Sequence, residues 1–213
     1  IGGDAGKTTQ GISSVAIGGD AGKTTQGISS VAIGSGAGSI SQGSTGAVAI
    51  GLNAGQTGQG ASSVAIGFNA GQTGQGISSV AIGNNAGAES QGSTGAVAIG
   101  LNAAQFSQGA SSVAIGFNAG QTGQGISSVA IGSGAGYDSQ GSTGAVAIGL
   151  NAAQFSQGAS SVAIGFNAGQ TGQGISSVAI GSGAGYDSQG STGAVAIGLN
   201  AGQTGQGASS VAI

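Results

Sequence analysis

What this chain of 213 residues lacks narrows its chemistry before any motif is considered. It contains no cysteine, histidine, methionine, tryptophan or proline. Without histidine or cysteine, the commonest general base, the thiolate nucleophile and the soft-metal ligands are all missing. Disulfides are excluded, and the redox compartment stays open. The only basic residues are Lys7 and Lys23, too few for the positive footprint that nucleic acid or an anionic membrane surface requires. The five acids Asp4, Asp20, Glu89, Asp138 and Asp187 are scattered along the chain, so no nucleophile and base can be paired. Unbroken apolar runs reach only about four residues, as at Ala47–Ile50, where a bilayer core of about 30 Å needs roughly 20. The expectation is a non-enzymatic chain with no cofactor, no metal, no nucleic-acid partner and no membrane insertion by this segment.

What is present is glycine, 51 residues of it, and a repeat. Ser-Val-Ala-Ile-Gly, complete first at Ser14–Gly18, returns every 16 or 17 residues. Cutting at its Ile gives thirteen units, starting at Ile1, Ile17, Ile33, Ile50, Ile66, Ile82, Ile99, Ile115, Ile131, Ile148, Ile164, Ile180 and Ile197, with Ile213 left over. A short fixed period marks a solenoid, whose turns bury apolar residues only by stacking on their neighbours. Low charge with abundant Val, Ile and Ala argues against disorder. From Ile33 a larger period appears: one 17-residue unit and then two of 16, a 49-residue super-repeat. Ile115–Ala163 differs from Ile164–Ala212 only where Ala153, Phe155 and Ser156 become Gly202, Thr204 and Gly205. The array grew by duplicating triplets of turns.

Within a unit, Ser-Val-Ala-Ile alternates as a strand does, Val and Ile to one side and Ser and Ala to the other. Gly, a variable residue, often Asn, and an invariant Ala follow, as in Gly51–Ala54, and make a corner, because Gly and Asn tolerate positive φ. Gln-Gly makes a second corner. The fold expected is all-β: a parallel β-solenoid, or β-roll, of thirteen 16- or 17-residue turns with two short strands per turn, forming one continuous array over residues 1–213. Thirteen turns at about 4.8 Å each would make a rod roughly 60 Å long. Val15 and Ile17 types, the invariant Ala5, Ala21 and Ala37 types and the Ile12, Ala61 or Ile77 types are expected to fill its thin core. The pattern runs to both ends with no atypical capping unit and no initiating Met, so the chain reads as a segment of a longer molecule whose open ends invite polymerisation.

In such a stack each residue lies on its own copy, which disfavours charge because like charges repel. Asp4 over Asp20 and Lys7 over Lys23 can offset one another in adjacent columns. Amide columns suit stacking, and Gln10, Gln26, Gln42, Gln59, Gln75, Gln91, Gln108, Gln124, Gln140, Gln157, Gln173, Gln189 and Gln206 form the expected structural ladder. Leu or Phe recurs two residues after the Ile, at Leu52, Phe68, Leu101, Phe117, Leu150, Phe166 and Leu199. That column is either a self-association stripe or local corner packing. Phe106, Phe155, Tyr137 and Tyr186 offer a second contact elsewhere in the turn. Gly18–Thr24 departs from the phosphate-binding loop in spacing and precedes no helical pattern. Calcium-binding nonapeptide repeats would need an Asp in nearly every turn.

The segments Ser63–Ala70 and Ser112–Ala119, Ser-Val-Ala-Ile-Gly-x-Asn-Ala, resemble the head repeats of trimeric autotransporter adhesins, the YadA-like heads. The resemblance extends over essentially every turn, with the Gln-Gly corner as an addition. It implies a left-handed parallel β-roll, association of three chains through their rolls, and binding to a host or surface ligand. Repetitive fibre proteins of bacteriophages and large viruses show a weaker similarity. The expected role is therefore a structural, fibre-forming or adhesive protein, extracellular or on a cell or virion surface, whose partners are copies of itself in a trimer or an open-ended filament. The alternative is an ice-binding solenoid using Thr8, Thr9, Thr57 and Thr73, a column interrupted by Phe106 and Phe155.

Overall fold

The computed structural model describes residues 1–138, 140–187 and 189–213, and these fall into two compact units, Ile1–Gln108 and Gly109–Ile213. Both are parallel β-solenoids, and the described residues include no helix. In the first unit six strands stack side by side: Val15–Ile17, Val31–Ile33, Val48–Ile50, Val64–Ile66, Val80–Ile82 and Val97–Ile99. Register is strict, with Val on Val, Ala on Ala and Ile on Ile. The second unit repeats the arrangement with Val113–Ile115, Val129–Ile131, Val146–Ile148, Val162–Ile164, Val178–Ile180, Val195–Ile197 and Val211–Ala212. Thirteen turns of 16 or 17 residues are thus present. The opposite wall is slighter. It pairs Thr9–Gln10 with Thr25–Gln26 and Phe155–Gln157 with Thr171–Gln173, carries the further short strands Phe106–Gln108 and Thr122–Gln124, and includes single parallel bridges such as Thr57 to Thr73.

The corner after each Ile explains the residues found there. Its fourth position is left-handed in every turn of the first unit: Asp4 at φ 57°, Gly36 at 69°, Asn53 at 55° and Asn69 at 53°. Asp, Asn and Gly are the residues that reach this region at least cost. The glycine directly after the Ile is fixed for a second reason. At Gly165, with φ 135°, a Cβ would lie 2.6 Å from the carbonyl oxygen of Gly181 one turn on, so only glycine lets the turns stack there.

The structure reverses the expected direction of the strand. The central Ala of Val-Ala-Ile points inward and is fully buried, as at Ala49, Ala65 and Ala81, and the corner alanines Ala54, Ala70 and Ala86 join it. The Ser preceding the strand is buried too, at Ser63 and Ser79. Val and Ile point out, Val15 and Ile17 being 40% exposed; Ile12 at 76% and Ile77 at 54% are more exposed still. The core expectation for these residues is therefore corrected. The reason is width. From Gln26 onward the Gln of each turn spans the interior and donates from Nε2 to the Val carbonyl of the opposite wall, as in Gln42 to Val31 at 2.9 Å and Gln75 to Val64 at 2.7 Å, whereas the exposed Gln10 donates to Ser14 O at 3.2 Å. Walls close enough for one amide side chain to bridge leave room between them for methyl and hydroxymethyl groups only. A β-branched side chain in that space would force backbone shifts.

Buried serines handle the change from 16 to 17 residues. Ser79, just before a 17-residue turn, donates to Ser93 O at 2.8 Å and accepts from Ala96 N at 3.2 Å, patching the backbone ladder where the extra residue enters. Ser30, Ser128 and Ser177 do the same. The hydroxyl of Ser63, ahead of a 16-residue turn, donates instead to Gly60 O of its own turn.

Candidate self-association surface

Because Ala and Ser take the interior, each unit presents its Val and Ile side chains on one broad outer face. Strict register turns them into two continuous columns. The column at the adjoining corner holds all seven residues of the Leu and Phe stripe. Leu52, Phe68, Leu101, Phe117, Leu150, Phe166 and Leu199 are each at least 43% exposed, so corner packing does not bury them. Asn69 N donates to Leu52 O at 3.0 Å and Asn85 N to Phe68 O at 2.9 Å, which keeps the column aligned through its backbone. The Val, Ile and Leu/Phe columns therefore border one another. Four steps of about 3.3 Å separate Val from the corner residue and turns stack about 4.8 Å apart, so each turn offers about 60 Å² of this face and each unit about 400 Å². Patches of that size are the largest that ordinary monomers leave open.

The Gln ladder lies elsewhere and does other work. From Gln26 to Gln206 its residues are buried, and only Gln10 is exposed. Their main partners are the Val carbonyls across the roll, with Gln-to-Gln bonds added at some junctions, such as Gln42 to Gln59 at 3.0 Å and Gln91 to Gln108 at 2.8 Å. The axial ladder expected from sequence is thus a cross-brace first. A true amide ladder runs along the outer corner, where Asn53 donates to Asn69, Asn69 to Asn85 and Asn85 to Asn102, each at 3.3 Å.

The first two turns carry the same corner in ionic form. Asp4 and Asp20 stand where later turns have Asn, and Lys7 and Lys23 stand where they have Gln56 and Gln72. Lys7 pairs with Asp4 and Lys23 with Asp20 at 3.1 Å, while Lys23 also reaches Asp4 at 3.6 Å. The Lys7 hydrogen bond holds the Asp4 carboxyl below its ordinary value, and Asp20 raises the Lys23 ammonium above its own. All four residues are exposed or half-exposed, and pairs of this kind contribute little to stability.

Neither the known protein-family models nor the curated proteins include a match to this chain. What the surface can do must therefore be read from its geometry. On the second wall Phe106 and Phe155 are 36% and 40% exposed, and Tyr137 and Tyr186 are half-buried. Thr122 and Thr171 each donate 2.9 Å to Asp138 and Asp187. Among the described residues no three of Asp, Glu, His and Cys come together as a metal site would need, and no helix is long and apolar enough to cross a membrane. Sequence reasoning missed the Val and Ile columns as surface. The signal available was the invariant smallness of Ser and Ala on the other side of the same strand.

Proposed function

We propose that the chain is the non-catalytic body of a fibre-forming or adhesive structure on a cell or virion surface, built by lateral association of copies through the Val, Ile and Leu/Phe face. The observation that carries this reading is the outward direction of the Val and Ile columns, which the small interior enforces. An apolar face of about 400 Å² on each unit is about half of the roughly 800 Å² that one partner contributes to a stable interface. Near-absence of charge on this face removes the repulsion that would keep parallel copies apart. The resemblance of Ser63–Ala70 to adhesin-head repeats points the same way, towards three chains associating through their rolls and towards an extracellular setting. Light scattering on the purified chain over a wide concentration range tests the proposal. A discrete oligomer supports the adhesin-like arrangement, growth into long species supports a filament, and a monomer throughout overturns both.

Ice binding is the weaker reading. Thr57 and Thr73 are neighbours on the second wall, but the next bridges in that column are Glu89 and Phe106. Thr73 also donates its hydroxyl to Ala88 O at 3.0 Å, so the column is neither unbroken nor wholly available to water. A thermal hysteresis measurement separates the two readings.

A further inference from the structure

The outer face has two borders, and their residues compensate one another turn by turn. One border is the Leu/Phe column after the strand. The other lies three residues before the Val of the strand and steps through Thr45, Ala61 and Ile77, held in line by Ser62 N to Thr45 O at 3.0 Å and Ser78 N to Ala61 O at 2.9 Å. On the strand Val48–Ile50 the two borders are Thr45 and Leu52; on Val64–Ile66 they are Ala61 and Phe68; on Val80–Ile82 they are Ile77 and Asn84. The largest residue of one border thus shares its turn with the smallest of the other, and Ile sits where the opposite border is polar. The same three pairings recur in the second unit, as in Ala159 with Phe166, with Ser182 in place of the Asn. Within one chain the borders do not meet, since the strand between them holds them at least about 10 Å apart. Duplication of triplets explains the period of three turns but not the compensation.

Resting on the reading that copies associate through this face, we propose that they do so parallel and without stagger, the Leu/Phe border of each copy seated on the Thr/Ala/Ile border of the next. Contact between two different borders is heterologous, and such a contact repeated around an axis closes into a ring. At zero stagger Phe68 meets Ala61, Leu52 meets Thr45 and Asn84 meets Ile77, three pairs of nearly even combined size. A slip of one turn sets Phe68 against Ile77 in one direction; in the other it sets Leu52 against Ile28 and leaves Asn84 over Ala61. Two large side chains then collide where another turn leaves a gap, and interfaces pack as densely as interiors. Register is therefore restored only after three turns, about 14 Å, and not after each 4.8 Å step.

Paired cysteines test the register, since the chain has none of its own. Ala61→Cys with Phe68→Cys places one thiol on each border of the same turn, and Ala61→Cys with Asn84→Cys offsets them by one. All three positions lie on the surface or are half-buried, so the variants are expected to fold. Air oxidation followed by denaturing electrophoresis is expected to give intermolecular ladders at least about 5-fold stronger for the in-register pair, consistent with the short span a disulfide tolerates. Equal or stronger cross-linking of the offset pair, in a chain that light scattering shows to be oligomeric, overturns the register while leaving self-association standing. Absence of any oligomer of the unmodified chain removes the underlying reading instead.

Discussion

The two sides of a single three-residue strand follow opposite rules. Inside, Ala81 is flanked by Ser79 and by the Gln amides, and nothing larger than a hydroxymethyl group enters apart from the amide that ties the walls together. Outside, Val80 and Ile82 stack on their own kind and stay partly open. A conventional domain puts its β-branched residues at the centre and its small polar ones at the rim. The inversion teaches that cohesion within one chain comes from close stacking, cross-bracing amides and backbone ladders, while the apolar area is left on the outside, where the proposed contact between chains would use it.

Substitutions on the two sides should therefore separate stability from assembly. The largest effect is expected from enlarging the interior: Ala81→Val should destabilise the first unit by about 3 kcal/mol, read as a lower urea midpoint, whereas Val80→Thr should leave that midpoint nearly unchanged. Removing the cross-brace comes next. Gln91→Ala loses bonds to Val80 O at 3.0 Å and to Gln108 Oε1 at 2.8 Å and leaves buried acceptors open, a cost of about 2 to 3 kcal/mol. Ser79→Ala should cost about 1 to 2 kcal/mol, because the Ala96 amide loses its acceptor, and Ser63→Ala less, because its hydroxyl serves its own turn; equal losses would contradict the role given to Ser79 at the 17-residue junction.

The smallest effect concerns pH, and it falls on the outer corner. Asp4 titrates below its ordinary value of 3.8 because Lys7 donates to it. Its pairing therefore stabilises the fold above that value and is lost as pH falls through the lower folded value. Lys23 titrates above 10.5 because Asp20 accepts from it, so its contribution holds below 10.5 and disappears as pH rises through the higher folded value. Thermal unfolding from about pH 5 to about pH 2 should show a slight, salt-sensitive loss. Asp4→Asn with Asp20→Asn, which restores the amide corner of later turns, should remove it.

Much of this architecture is legible in the sequence. The period sets the turns and their number, and the Asn and Gly of the corner mark it as a place of positive φ. The direction of the strand is not legible. Alternation places Val64 and Ile66 together on the side opposite Ala65, and it does not say which side faces inward. Hydrophobicity favours Val and Ile there, and the width set by Gln75 and its bond to Val64 O decides for Ala. The Leu and Phe stripe is visible in the sequence, but its continuity with two further apolar columns follows only once those columns face out. Gln75 is legible as structural from its recurrence, while its reach across the roll requires the positions of both walls.

The central claim is that the outward Val and Ile face joins copies of the chain. Its most direct test is the solution mass by light scattering of the unmodified chain beside a variant carrying Val64→Thr, Ile66→Thr, Val80→Thr and Ile82→Thr, over the same concentrations. The expected result is an oligomer for the first and a much larger monomeric fraction for the second, both with the same β-sheet circular dichroism. An unmodified chain that stays monomeric, or a variant that assembles equally well, would contradict it.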